Sequence, residues 1–283
     1  MSKVDVALVS CRSMVGFDIE TPTVLARLEE RGARVELCCW DDPSVDWESM
    51  PLAVIRSTWD YIVHLEAYLA WLDQVDGATR LSNSASLIRW NIDKHYLRHL
   101  ERVGVPIVPT HYVEPGEACD LEALLERWGA LILKPAVSNA ANDTIVVETA
   151  RPELGTAHLE RTRERSMMVQ PMIRSIHTTG ERSQIYFAGE LSHVIDKVPG
   201  AGDFRVQEHL GGTYRRVEPR PADLDLARKA LGALDEVPLY ARIDCVDIDG
   251  EPRLMEIELI EPDLYLRHAP DGMDRFCEAI ERG

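Results

Sequence analysis

Between Leu239 and Asp263 the chain reads LYARIDCVDIDGEPRLMEIELIEPD, two alternating polar and apolar runs joined by a short polar connection. A strand over Tyr240–Ile248 puts Arg242 and Asp244 on one face and Ile243 with Cys245 on the other. A second strand over Leu254–Leu259 puts Glu256 and Glu258 on one face and Met255, Ile257 and Leu259 on the opposite one. A connection of three residues (Asp249–Glu251) or five (Ile248–Pro252) pairs Asp244 with Glu256 and Arg242 with Glu258, so three carboxylates converge. A two-residue connection instead sets Asp244 against Met255 and scatters them. Carboxylates brought within a few ångströms repel and desolvate one another, and a hard divalent cation with oxygen ligands removes the conflict. Asp244, Glu256 and Glu258 are therefore the predicted metal ligands.

The charge of the whole chain agrees. The 283 residues hold 48 acids and 31 bases, a net −17, which disfavours nucleic acid as a partner. From Asp244 to Asp263 there are eight acids and one base, so −7 of that total falls in one predicted hairpin. Apolar residues at 45% and charged residues at 28% describe an ordinary globular protein, with a small molecule as the expected partner. No apolar run approaches the roughly 20 residues that span a bilayer, and the N-terminal stretch lacks a signal-peptide pattern, so a cytoplasmic location is expected. Six scattered cysteines (Cys11, Cys38, Cys39, Cys119, Cys245, Cys277) form no CxxC pair and read as reduced core residues.

Upstream, the first part alternates strands (Val4–Ser10, Arg34–Trp40, Leu52–Arg56) with a helical stretch Thr23–Arg31, a βαβ pattern that predicts a parallel sheet with ligand-facing loops. RSTWDY follows, where Arg56, Ser57, Thr58, Asp60 and two aromatics read as a substrate wall, although the N-cap of a helix over His64–Gln74 explains Ser57, Thr58 or Asp60 equally well. From Asn91 to Gly104 a single helix is expected, N-capped by Asn91 or Asp93 and ended by Gly104, with Lys94 in its first turn, where a cation opposes the helix dipole unless it serves an anion. ALILKPA (Ala130–Ala136) is a strand with Lys134 near its end. The following VSNAANDT loop has no glycine, so Ser138, Asn139, Asn142 and Thr144 would have to grip an anion through side chains. In MMVQPMI, Pro171 interrupts pairing and marks an inter-lobe connector. A hairpin over Ser183–Ala188 and Leu191–Lys197 leads into GDFRVQEHLGG, a flexible loop carrying Arg205. Lysines at a strand end and a helix start, an arginine loop and an acidic hairpin are the parts needed to hold a nucleoside triphosphate, yet no GxxxxGK[ST] or GxGxxG is present.

In this order DKHYLRHLERVGVPIVPT, LILKP, VQPMI, KVPGAGDFRVQEHLGG and RID followed by MEIE resemble the ATP-grasp superfamily of carboxylate–amine ligases over roughly residues 83–269. The resemblance implies an α/β fold with two α+β lobes: a Rossmann-like pre-grasp domain over 1–84, a central ATP-grasp lid subdomain over 85–168, and a C-terminal ATP-grasp subdomain with the metal site over 169–283. It also implies cofactor-binding roles for Lys94 and Lys134 with Ser138 and Asn139 at the phosphates, Gln170, Met172 and Ile173 at adenine, and Glu181 at ribose. Lys197, Arg205 and Arg242 would stabilise the transferred charge, and two Mg²⁺ ions would sit on Asp244, Glu256 and Glu258. Many members carry Asn at the Glu258 position, so the extra charge bears on metal number and on Mg²⁺ versus Mn²⁺. RSTWDY, KPAVS, GDFRVQ and MEIELIEPDL together are most similar to the cyclo-ligases of D-cycloserine biosynthesis. That similarity implies an ADP-forming enzyme acting on a small amino-acid-like substrate, activating a carboxylate as an acyl phosphate and closing a ring onto a nitrogen, with Arg267 a further substrate contact. An intermolecular amide ligase and a non-catalytic nucleotide-binding regulator are the alternatives, and a homo-oligomer is left open.

Overall fold

The computed structural model describes residues 5–139, 141–200, 205–206, 208 and 211–282. Three sheets make up the frame. The first is parallel, with β1 (Val6–Ser10), β2 (Val35–Cys39), β3 (Leu52–Ser57) and β4 (Arg80–Ser82) in the order β2-β1-β3-β4. Its two central strands, VALVS and LAVIRS, are buried along their whole length, as a strand covered on both faces requires. Helices α1 (Thr21–Glu30) and α2 (Leu65–Ala78) make the crossovers.

The second sheet is antiparallel, with β5 (His111–Val113), β6 (Ala130–Pro135), β7 (Ile145–Glu148) and β8 (Met167–Pro171) in the order β5-β8-β6-β7, backed by α5 (Leu121–Trp128) and α6 (Pro152–Arg161). Here the sequence expectation is corrected. MVQP is a central strand, paired on both sides, and not a connector. Pro171 is its last residue, opposite Leu131, and the next amide, Met172, donates to Ala130. A proline at a strand's end removes one donor without interrupting the ladder before it.

The third sheet, β11-β10-β9-β12-β13, is antiparallel and contains β9 (Glu181–Phe187), β10 (Glu190–Val198), β11 (Thr213–Val217), β12 (Tyr240–Ile248) and β13 (Glu251–Glu258). The segment 176–179 is a single helical turn, α7, before β9. Helix α8 (Pro221–Leu231) packs on this sheet, and α9 (Pro270–Arg282) joins it to the first one. Phe276 and Ile280 of α9 share a core with Leu8, Val54, Ile185 and Phe187, and a fully buried side chain of this size contributes on the order of 2–3 kcal/mol.

The expected helix over 91–104 is two helices, α3 (Ala85–Ile92) and α4 (Tyr96–Arg102). Asn91 caps neither. Its amide donates to Ile257 O at 2.7 Å and its carbonyl accepts from Leu259 N at 2.8 Å, fixing the end of β13. The Lys94 amide donates to Ala136 O at 3.0 Å, so tertiary hydrogen bonds draw the backbone out of the helix at the point where Lys94 is needed. Of the cysteines, Cys11, Cys38, Cys245 and Cys277 are buried and free, whereas Cys39 and Cys119 are only half-buried. Among the described residues no helix is long and apolar enough to cross a membrane.

Candidate active site

The hairpin β12–β13 turns on two residues, Asp249 and Gly250, both at positive φ (55° and 84°), the geometry of the tightest hairpin turn. A ladder running regularly from such a turn would bring Met255 opposite Asp244. A bulge prevents this. Cys245 pairs with Leu254 and Asp244 with Glu256, so Met255 is the extra residue, and the pairs Asp244–Glu256 and Arg242–Glu258 are restored. The convergence of carboxylates is as expected, but it is reached through a two-residue turn plus a bulge and not through an odd-length loop.

Asp244, Glu256 and Glu258 each offer one oxygen, and these oxygens lie within 4.8 Å of one another. Arg242 Nε lies 3.1 and 3.0 Å from the two Asp244 oxygens, and its Nη2 reaches Asp244 at 2.8 Å and also donates to Glu258. Lys197 donates to Glu181 and stands 3.6 Å from Asp244, to which Ser183 also donates. Lys94, in the turn between α3 and α4, donates to Ser138 O at 2.7 Å and lies 3.7 Å from Glu256.

Burial pushes each of these carboxyls upward, and the neighbours decide the outcome. For Asp244, Arg242 and Lys197 outweigh burial and hold the carboxyl below its usual range. Lys94 and Lys134 do the same for Glu256. For Glu258 burial prevails against Arg242, and Glu256 and Asp244 add to it, so its carboxyl is held well above the ordinary glutamate range. Burial likewise depresses the Lys134 ammonium, against the pull of Glu256.

These groups face one cavity of about 890 Å³ between the second and third sheets, closed at one end by the first. Lys94, Lys134, Ser138, Asn139, Gln170, Met172, Ile173, Glu181, Lys197, Arg205, Arg242, Glu256, Glu258 and Arg267 all line it, and Asp244 lies fully buried beneath Arg242. Much of the loop that carries Arg205 lies outside the described residues, although Arg205 itself is among them.

One expectation fails, and two others are qualified by the partners of the side chains. Ser57 and Thr58 are fully buried, bonded to Ser10 and Tyr68, and Asp60 accepts from Ser13 and Trp40; none lines the cavity and none caps α2. The wall is built by the other residues of that loop, Arg56 and the aromatics Trp59 and Tyr61. Ser138 donates to Pro135 O and Asn139 to Trp59 O, so the side-chain donors assigned to phosphate are spent on the protein. Arg267 reaches the cavity with its guanidinium taken by carboxylates, Glu20 at 3.1 Å, Asp263 at 3.0 Å and Glu208 at 2.7 Å. Glu20, Glu261 and Tyr265 were missed. EPDLYLRH contains two of them, but only the fold tells which side chains face inward.

Residues 6–83 match the family model described as the D-cycloserine synthetase DcsG N-terminal domain, and residues 106–264 match that of the prokaryotic glutathione synthetase ATP-grasp domain. The chain is 30% identical to the cycloserine biosynthesis protein DcsG of Streptomyces lavendulae, with 97% of each chain covered. The crystal structure of D-cycloserine synthetase DcsG superposes with a TM-score of 0.87 at 29% identity, covering 98% of this chain and 99% of that one. Bacillus anthracis D-alanine–D-alanine ligase shares the fold alone, with a TM-score of 0.70 at 13% identity over 99% of this chain and 96% of the other. Two matched models spanning both parts of the chain, with a relative similar over nearly the whole length, make this an ATP-grasp protein of the ADP-forming C–N ligases, closely related to D-cycloserine synthetase DcsG.

Proposed function

We propose that this ligase uses ATP to activate the carboxylate of a small O-substituted amino acid as an acyl phosphate, and that a nitrogen of the same molecule then displaces phosphate and closes a ring, as in cycloserine formation. The observation that carries the reading is one cavity lined by four cations, Lys94, Lys134, Lys197 and Arg242, and by Glu256 and Glu258, with Asp244 buried beneath Arg242 and offering an oxygen within 4.8 Å of theirs. Similarity to DcsG along both parts of the chain supports the cyclising form.

The carboxylate set fits Mg²⁺, being hard oxygen donors on one face with no softer ligand among them. When bound, Mg²⁺ neutralises phosphate charge and gives Glu258 a reason to ionise. Lys94 and Lys134 hold the nucleotide phosphates, while Gln170, Met172 and Ile173 flank the base. Lys197 and Arg242 stabilise charge on the transferred group and on the developing acyl-phosphate oxygens. Both are fixed in advance by Asp244, so little reorganisation is needed at the moment of transfer. Catalysis is then positioning and charge neutralisation, with no enzyme nucleophile.

The test measures ADP release with Mg²⁺ and a panel of O-substituted serines, including O-ureidoserine, with hydroxylamine present to trap the activated carboxylate as a hydroxamate. A cyclised product formed from one organic substrate is expected. A product joining two substrates would replace this reading with an intermolecular ligase, and absence of ADP release with every carboxylate would overturn ligation itself.

A further inference from the structure

Six glutamates line the cavity, and five of them have a cation within ion-pairing distance. Glu20 and Glu208 pair with Arg267, Glu181 with Lys197, Glu256 with Lys94 and Glu258 with Arg242. The sixth, Glu261, has no such partner among the described residues, although it is only 9% exposed. The two cations whose charge reaches it are spent elsewhere, Lys94 on Glu256 and Ser138 O, Arg242 on Asp244 and Glu258. The neighbouring Asn139 amide donates to Trp59 O at 2.8 Å.

The backbone fixes where this carboxylate stands. Glu261 follows Glu258 by three residues, so their Cα atoms are no more than about 11 Å apart. Ile260 O accepts from the Tyr240 hydroxyl at 2.7 Å, and Glu261 O accepts from the Trp59 indole at 3.0 Å. Trp59 and Tyr61 form the cavity wall on the side of the first sheet, so Glu261 lies where the carboxylates of β13 meet that wall. The titratable and charged groups around it are Lys94 from the α3–α4 turn, Arg242 and Tyr240 from β12, Glu258 from β13, Tyr61 from the loop after β3 and Tyr68 from α2. Burial outweighs the pull of Lys94 and lifts the Glu261 carboxyl to about 7, which suits a proton acceptor working near neutral pH.

Under the ligase reading, on which this inference rests, the acyl phosphate is held with its phosphate toward Lys94 and Lys134. The attacking nitrogen reaches the acyl carbon from the other side, that of Trp59, Tyr61 and Glu261, and it must shed a proton as it bonds. We propose that Glu261 is the general base of ring closure. The nitrogen forms its bond to the acyl carbon, and the carbon–oxygen bond to phosphate breaks with its electron pair leaving on phosphate. The nitrogen's proton passes to the Glu261 carboxylate and from there to water. An ion-paired glutamate is a poorer acceptor, because its cation favours the charged form.

The experiment supplies the full-length protein with ATP, Mg²⁺ and O-ureidoserine and reads two products, the cyclised one by mass and, with hydroxylamine added in excess, the hydroxamate. Hydroxylamine is small and uncharged near neutral pH and passes its proton to solvent, so it reports activation without ring closure. In Glu261→Gln cyclisation should fall at least about 100-fold, the lower end of what a general base contributes, while hydroxamate formation stays within about 3-fold of wild type. The retained hydroxamate is also the control for folding and for ATP binding. Undiminished cyclisation in Glu261→Gln, or an equal fall in both products, would overturn the base and leave ligation standing. A wild type that yields hydroxamate but no cyclised product would overturn ring closure and this assignment together, whereas absence of both ADP and hydroxamate would overturn ligation itself.

Discussion

Glu258→Gln separates two accounts of the acidic hairpin. Were Glu258 an ionised partner of Arg242, removing its charge would leave a buried cation poorly paired and cost about 3–5 kcal/mol. The local geometry argues otherwise. With the carboxylate oxygens within 4.8 Å of one another, an effective dielectric of about 20 gives at least roughly 3.5 kcal/mol for each like-charge pair, or about 7 kcal/mol or more against Asp244 and Glu256 together. Contact with Arg242, taken at the 2.8 Å of that guanidinium's bond to Asp244, returns about 6 kcal/mol on the same scale. The two nearly cancel, which matches the raised Glu258 carboxyl. The neutral glutamine should therefore change ligand-free stability by about 1 kcal/mol or less, a midpoint shift of a few degrees at most in thermal melts with chelator present. The same substitution should raise the Mg²⁺ concentration for half-maximal ADP release at least tenfold, since a lost metal ligand costs no less than the ten- to hundredfold typical of a supporting residue. Destabilisation by 3 kcal/mol or more, or an unchanged Mg²⁺ requirement, would refute the reasoning.

Lys134→Met should move two properties in opposite directions. It raises ligand-free stability by about 1 kcal/mol, because a desolvated ammonium is replaced by a side chain of similar size, and it weakens ATP at least tenfold; melts and nucleotide titration read the two. Asn91→Ala should cost about 2–3 kcal/mol in denaturant unfolding, since Leu259 N loses its partner and Ile257 O keeps only the Tyr96 hydroxyl, whereas a cap residue would cost about 1 kcal/mol. For Glu261, burial raises the carboxyl from 4.5 to about 7, so the folded state holds a proton that the unfolded state has released between those values, and stability is lost as pH rises through that window. Glu261→Gln should thus exceed wild type by up to about 3 kcal/mol near pH 8, with the advantage gone below pH 4.5. Reading the difference between the two proteins removes the opposite effect of His193, whose ring burial pushes down to about 4. A difference constant with pH would count against it.

Some of this site is written locally. Alternation in MEIE and RID places Glu256 with Glu258 and Arg242 with Asp244 whatever surrounds them, because successive side chains on a strand point to opposite faces. Lys134 at the end of an apolar strand, and the parallel character of VALVS and LAVIRS, follow from the same local patterning. Other features needed partners far along the chain. Whether Asp244 meets Glu256 or Met255 depends on a bulge, which a hydrophobic pattern does not encode. The break between α3 and α4 arises because Ala136, Ile257 and Leu259 offer better partners than the helix does. Within RSTWDY, composition gave equal weight to every polar residue; packing turned Ser57, Thr58 and Asp60 into the protein and left Arg56, Trp59 and Tyr61 facing the cavity.

The division has a physical cause. Residue type and spacing govern propensity, face and charge, which are properties of a few consecutive residues, and these determined the acidic hairpin, the lysine-bearing strand and the ATP-grasp character of the chain. Register, hydrogen-bond partners and the burial of individual polar atoms depend on segments up to about 250 residues apart, as with Arg267 and Glu20. Only the folded chain brings those together, and it alone decided which carboxylates converge and which polar side chains face the cavity.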